Sequence, residues 1–200
     1  MRTYDYFEIA GTVRQLADTR GILNICGKLN VNSHSGPSVS AVANQSVFGA
    51  VYYTLALVQL MRGGVDAELY WMGTDGAGPY GLWDDHGRST PVFLAKQIIA
   101  QAIRPDAEIL IEEPEIDRDA LMVVHAKNAG GNRSALVVHA SECSRSYRIA
   151  DLLGRNGEYG AFRKIDANTD GRIVTSTRDA IVTFDGPGLA IATTPTAAPV

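Results

Sequence analysis

The sequence predicts an α/β unit followed by an all-β unit, and three observations predict it. Residues 1–104 alternate long helical patterns with short apolar runs, the order of a parallel sheet with crossover helices. Residues 105–195 break instead into short β-rich runs punctuated by Gly, Asn and Asp turns, the pattern of a small antiparallel β-sandwich. A length of 200 residues leaves room for one large domain or two small ones, and 46% hydrophobic with 20% charged residues describes an ordinary globular chain. Residues 196–200 read as a frayed tail.

The first half justifies itself element by element. Between residues 4 and 19, Phe7, Ile9, Val13, Leu16 and Ala17 recur at roughly helical spacing, which predicts a helix burying that face; Gly21 then stops it. "ILNIC" (22–26) reads as a short buried strand, followed by the polar segment "CGKLNVNSHSG" (26–36). Asn44 or Ser46 can cap the next helix, which runs to 62 and is closed by Gly63-Gly64. "VDAELYWM" (65–72) is a second strand, and a Gly- and Asp-rich loop follows it. Thr90 then caps a helix with Pro91 at its first position, reaching about residue 103.

In the second half, strands are predicted at "AEILIEE", "ALMVVHA", "ALVVHAS", "SYRIADL", "GRIVTST", "DAIVTFD" and "LAIATTP". The two "VVHA" runs flank "KNAGGNRS", whose Asn and Gly residues predict a hairpin loop.

Charge and cysteine content exclude several function classes. A net charge of -4 with scattered basic residues gives no electrostatic reason for a nucleic-acid or anionic-membrane partner. No uncharged apolar run reaches about 18 residues, and the N-terminus lacks the apolar core of a signal peptide. A soluble chain is expected, cytoplasmic if Met1 is the true start. Cys26 and Cys143 lie far apart in sequence, and a free thiol at Cys26 in the core is favoured over a disulfide.

Two parallel strands and three helices cannot close a barrel, which takes eight strands and about 250 residues. A buried parallel strand needs neighbours on both sides, so this half is expected to pair with another chain or to be the end of something larger.

Taken in order, "GILNICGKLNVNS", an amphipathic helix, "GGVDAELYWMGTD", "YGLWDDHGRSTPVFLAKQI" and a β-rich tail resemble the C-terminal part of glycoside hydrolase family 39. That family includes β-xylosidases and belongs to the larger (β/α)8 clan of retaining glycosidases. The resemblance covers residues 4–104 and extends to the tail only in kind, the family also carrying a β-sandwich after its barrel. It implies α/β plus all-β architecture: the last two βα units of a TIM barrel, with "ILNIC" as strand 7 and "AELYW" as strand 8, then a small antiparallel β-sandwich.

Retaining glycosidases hold a nucleophile and an acid/base carboxylate about 5 to 5.5 Å apart. The family's nucleophile is a Glu at the end of strand 7, commonly in a Glu-aromatic-Asn triplet. The matching triplet here is Lys28-Leu29-Asn30, so Lys28 stands at the nucleophile position. The acid/base Glu belongs to strand 4, which this chain does not contain. An ammonium cannot attack the anomeric carbon as a carboxylate does, and it repels an oxocarbenium-like transition state. A register slip would substitute Cys26 or Gly27, neither of them a carboxylate.

The resemblance therefore implies a fragment or degenerate member of a retaining β-glycosidase acting on xylosides or related glycosides, inactive as an isolated chain. The alternative is a non-catalytic carbohydrate-binding accessory module. The expected partners are a carbohydrate and the missing N-terminal portion of the barrel; no cofactor is expected.

Trp71 is a candidate floor for a sugar subsite, through stacking on pyranose C–H groups, against the reading of a core aromatic. Tyr70 should point the other way along the strand. Asn30, Asn32, Ser33 and His34 can bond sugar hydroxyls or their own backbone in a turn. Asp75, Tyr80, Trp83 and His86 occupy the loop after strand 8, a rim position in a barrel, though "DDHG" (84–87) reads as a plain turn. Glu68 is expected to face the helix layer or to pair locally. "DANTDGRIVTST" (166–177) mimics half of a calcium loop but ends in Thr177 where a bidentate Glu belongs, so a polar hairpin turn is favoured. His125 and His139 have no companions at ligand spacing and read as ordinary strand histidines, so no metal is expected.

Overall fold

The computed structural model describes residues 4–27, 44–70, 73–74, 80–112, 120–153, 161–175 and 180–193. The chain divides into two compact units between Phe93 and Leu94. Its content is mixed: helices and a parallel strand pair in the first unit, antiparallel sheets in the second.

The first unit holds α1 (Tyr4–Asp18), β1 (Ile25–Cys26), α2 (Val47–Arg62), β2 (Ala67–Glu68) and the first residues of α3 (Pro91–Ala102). The strand β1 pairs β2 in parallel, Ile25 opposite Ala67 and Cys26 opposite Glu68, with α2 as the crossover. Ser46 provides the N-cap of α2, its Oγ accepting from Gly49 N at 3.2 Å. The helix then buries Val51, Tyr53, Leu55, Val58 and Leu60. Its far end requires glycine. A Cβ on Gly63 would lie 2.5 Å from Ala10 Cβ and 2.9 Å from Phe7 O, and Gly64 has φ +78°. Only a residue without a side chain lets α2 end this close to α1. Thr90 caps α3 as expected, accepting from Phe93 N and donating to Leu82 O.

Two expectations for this unit need correction. The buried side of α1 is Ala10 and Ala17, with Tyr6 and Arg14 half-buried beside them, while Phe7, Ile9, Val13 and Leu16 are exposed. Small residues face α2 because the helices approach closely, and that leaves the larger apolar side chains outside. "ILNIC" is not a buried strand either: only two residues pair, and Ile22, Leu23 and Ile25 are exposed. Among the described residues β1 has a neighbour on one edge only, so nothing covers it as a central parallel strand is covered.

A polar cluster ties the starts of both strands to α1. Arg14 Nη1 donates to both Asp66 oxygens, at 2.9 and 2.7 Å, and also pairs with Asp18. Asp66 Oδ2 accepts from Asn24 N at 2.8 Å, Asp66 N donates to Asn24 O at 2.8 Å, and Asn24 Nδ2 donates to Ala10 O at 3.2 Å.

The second unit contains the rest of α3, β3 (Glu108–Glu112), β4 (Leu121–Lys127), β5 (Arg133–His139), β6 (Arg145–Arg148), α4 (Ile149–Leu153), β7 (Ala161–Asp166), β8 (Thr169–Thr175), β9 (Ile181–Phe184) and β10 (Gly188–Thr193). One antiparallel sheet runs β3-β4-β5-β10-β7-β8, and β6 pairs β9 in a second. The core joins both: Val123, Val137, Phe162 and Ala190 from the larger sheet meet Tyr147, Val182 and Phe184 from the smaller one. The other face of β4 and β5 is also buried, at Met122, Val124, Leu136 and Val138. Ser134 Oγ there donates to Ala102 O at the end of α3.

The predicted hairpin forms between β4 and β5, closed by Asn128 N to Asn132 O at 2.9 Å, with Gly131 at φ +79°. "SYRIADL" is strand only to Arg148 and then turns into α4, so Ile149 and Leu152 reach the core from a helix. The strand β7 carries no expectation from the sequence, because "AFRKID" holds two adjacent basic residues.

Candidate functional site

In a parallel α/β sheet, chemistry collects where the strands end at their C-terminal side. Here β1 ends at Cys26 and β2 at Glu68, in register, with Leu69 N donating to Cys26 O at 2.9 Å. Side chains alternate along each strand. Cys26, Glu68 and Tyr70 thus share one side, and Ile25, Ala67 and Leu69 the other.

The first side is the helix side. Tyr53 of α2 donates its hydroxyl to Glu68 Oε2 at 2.9 Å, and its ring meets Tyr70 edge-on at 5.3 Å. Burial, the Glu68 carboxylate and the hydrogen bond together push the Tyr53 hydroxyl far above its ordinary pKa, so it serves as a permanent donor. The expectation for Glu68 holds: it pairs with Tyr53 of the helix layer, and Tyr70 lies on the same side. The part played by Tyr53 had no marker in the sequence beyond a general one, that a tyrosine inside an apolar helix needs a partner for its hydroxyl. A second tyrosine pair joins the helices: Tyr6 and Tyr52 hydroxyls lie 3.1 Å apart.

Of the residues singled out for sugar contact, Lys28, Asn30, Asn32, His34, Trp71 and Asp75 lie outside the described residues, as does Ser33. Trp83 is described. It is half-buried, bridges Thr74 and Ser89 through its backbone, and lays its ring on Phe93 at 4.7 Å. Tyr80 is buried. "DDHG" forms a plain turn: Asp84 accepts from His86 N, Arg88 N and Arg88 Nε at 2.7 to 2.9 Å. Those hydrogen bonds, led by the Arg88 amide, hold its carboxyl below the usual range.

In the second unit, His139 is fully buried, donating Nδ1 to Gly186 O at 2.9 Å and stacking on Phe184 at 5.1 Å. His125 lies 3.3 Å from Glu112. Asp166, first residue of the calcium-like segment, accepts from Asn168 N, Asp185 N and Lys164 Nζ in the turn between β7 and β8. Among the described residues no three His, Cys, Asp or Glu side chains converge. A cavity of about 450 Å³ opens among Gln101, Arg104, Asn128, Asn132, Arg133 and Thr193; its walls hold no carboxylate and no aromatic ring, so they contain neither a catalytic pair nor a stacking platform. No described helix is long and apolar enough to cross a membrane.

No protein-family model matches this sequence, and no curated protein does. Solved structures do. The chain is similar to the catalytic domain of a GH30 xylanase from Talaromyces cellulolyticus, with a TM-score of 0.58 and 17% identity over 88% of this chain and 41% of that one. It is similar to a monomeric β-xylosidase from Caulobacter crescentus, with a TM-score of 0.60 and 13% identity over 94% of this chain and 49% of the other. A GH51 arabinofuranosidase from Xanthomonas axonopodis pv. citri gives a TM-score of 0.57 and 11% identity, covering 96% of this chain and 46% of its own. This chain thus spans less than half the length of each of these three structures, and the likeness is one of fold, that of glycoside hydrolases.

Proposed function

We propose that residues 1–104 are the last two βα units of a retaining-glycosidase barrel and that residues 105–195 are the β-sandwich that follows it, of the family 39 type. On this reading Lys28 replaces the nucleophilic Glu, and the 200-residue chain alone does not hydrolyse glycosides. What it retains is sugar binding at the ends of the two strands, with Trp71 as platform and Asn30, Asn32, His34, Asp75 and Trp83 as rim contacts.

The observation that carries the reading is the β1–α2–β2 unit: a parallel pair, in register, joined by a buried helix. Its strands lead, within two or three residues of sequence, to Lys28 and to Trp71. The low-identity likeness to glycoside hydrolases agrees with this ancestry.

The test has two arms. Purified chain is assayed on aryl β-xylosides and related glycosides; turnover above a Trp71→Ala control overturns the loss of activity. Xylo-oligosaccharides are then titrated against tryptophan fluorescence. A saturable change that Trp71→Ala abolishes is expected, and no response at millimolar sugar overturns the binding reading.

A further inference from the structure

The cavity of the second unit lies between two turns that the chain ties together. On one side, the segment leaving α3 turns over residues 104–107, with Ala107 N donating to Arg104 O at 3.1 Å. On the other is the loop of the β4–β5 hairpin. Asn128 joins them: its Oδ1 accepts from Arg104 N at 3.2 Å, and its Nδ2 donates to Asn132 O at 3.4 Å. Buried Ser134 donates to Ala102 O, which fixes the last turn of α3 to β5. Contacts to the backbone therefore set the walls, and a space of about 450 Å³ is held open, within the range of small-molecule sites.

The lining is chemically one-sided. Arg104 and Arg133 bring two guanidinium groups, and no carboxylate is among the described lining residues; Asp106, in the same turn as Arg104, is exposed and is not one of the walls. Among the described residues, the side chains of Gln101, Arg104 and Asn132 have no hydrogen-bond or ion-pair partner. A guanidinium fork matches a carboxylate or phosphate, which it can grip with two parallel hydrogen bonds. A metal cation would meet positive charge and no anionic oxygen, and a neutral sugar ring would find no aromatic face to stack on. The carbonyl end of α3 would oppose an anion, but Ala102 O is already engaged by Ser134 and Ile99 O by Ile103 N. The amides of Gln101 and Asn132 and the hydroxyl of Thr193 suit hydroxyl groups. We propose that this cavity binds a small polyhydroxylated anion, a compound carrying one carboxylate or phosphate ester, with Arg104 on the charged group and Gln101, Asn132 and Thr193 on the hydroxyls. The site lies wholly in the second unit, so it stands whether or not the ends of β1 and β2 bind sugar.

The test titrates the whole chain, labelled with nitrogen-15, and follows its amide resonances. Glucuronate and glucose 6-phosphate probe the carboxylate and the phosphate ester; glucose tests the hydroxyls alone and inorganic phosphate the charge alone. Saturable shifts of the amides of residues 101–104 and 128–134 are expected with at least one of the two hydroxylated anions, and the tighter of them identifies the charged group. Glucose and inorganic phosphate should each bind about tenfold more weakly, as each lacks part of the polar contact. Arg104→Gln should weaken binding about tenfold, the worth of one charge-assisted hydrogen bond, while the remaining β4 and β5 resonances stay in place. Arg148→Gln, an exposed arginine of β6 outside the cavity, should change nothing. No shift at millimolar probe overturns the proposal. So does inorganic phosphate binding as tightly as the hydroxylated anions, or binding that Arg104→Gln leaves intact.

Discussion

At the scale of single residues, the pair Lys164–Asp166 sets the most severe condition on the second unit. Lys164 is buried in β7, 2.5 Å from Asp166 Oδ2, with its ammonium also donating to Thr183 O. Burial of Asp166 opposes ionisation, but Lys164 and the amides of Asp185 and Asn168 outweigh it, holding the carboxyl below its ordinary value of 3.8. Asp166→Asn should therefore destabilise the unit by about 3–5 kcal/mol, the effect of leaving a buried ammonium without its counter-charge; urea unfolding followed by circular dichroism measures it. The pH dependence has a definite sign. A carboxyl with a depressed folded-state pKa contributes stability that is full above the unfolded value and is lost as pH falls through the folded one. Acid should therefore narrow the gap between wild type and Asp166→Asn, and an unchanged gap from pH 6 to below the ordinary carboxyl range, about 3.9, would contradict this role.

Elements show how packing overrides periodicity. Gly63→Ala would force α1 and α2 apart where the added Cβ meets Ala10 and the Phe7 carbonyl. A loss of about 1–3 kcal/mol is expected, confined in hydrogen exchange to the two helices. The same contact explains what was legible in the sequence. The extents of α1, α2, α3 and the β4–β5 hairpin follow from spacing, caps and turn residues, all local signals. Which face of α1 is buried does not: the stripe of large apolar residues predicted it, and the close helix approach reversed it. Likewise "AFRKID" conceals β7 because the charge of Lys164 is neutralised by Asp166 two residues on in the same strand, and "SYRIADL" conceals α4 because Ile149 and Leu152 serve the core equally well from a helix. For the candidate site, the local pairing of Glu68 with the helix layer was legible, while the identity of its partner, the Tyr53 hydroxyl of a distant element, was not.

Across the whole molecule, the two units should differ in how strongly they resist opening. The second has a six-stranded sheet whose central strands are buried on both faces; the first has a two-stranded sheet with bare apolar surface. In the isolated chain, amides of β4, β5 and β10 should exchange orders of magnitude more slowly than those of β1 and β2, and denaturant should melt the first unit before the second. A single cooperative transition, with uniform protection, would show instead that the first unit is as well supported as the second.

The cluster of Arg14, Asn24 and Asp66 has a consequence of another kind. By pinning the starts of both strands to one helix, it works as a ruler laid at one end of the sheet. A side chain's distance in sequence from Asp66 or Asn24 then decides which way it points, as long as the strand stays extended. Substitutions at the far end can change the chemistry without disturbing this reference, whereas one inserted residue between Asp66 and Trp71 would turn every later side chain of that strand to the opposite face. On the proposed glycosidase ancestry, an exchange of a carboxylate for Lys28 would leave this Arg14–Asn24–Asp66 reference unchanged.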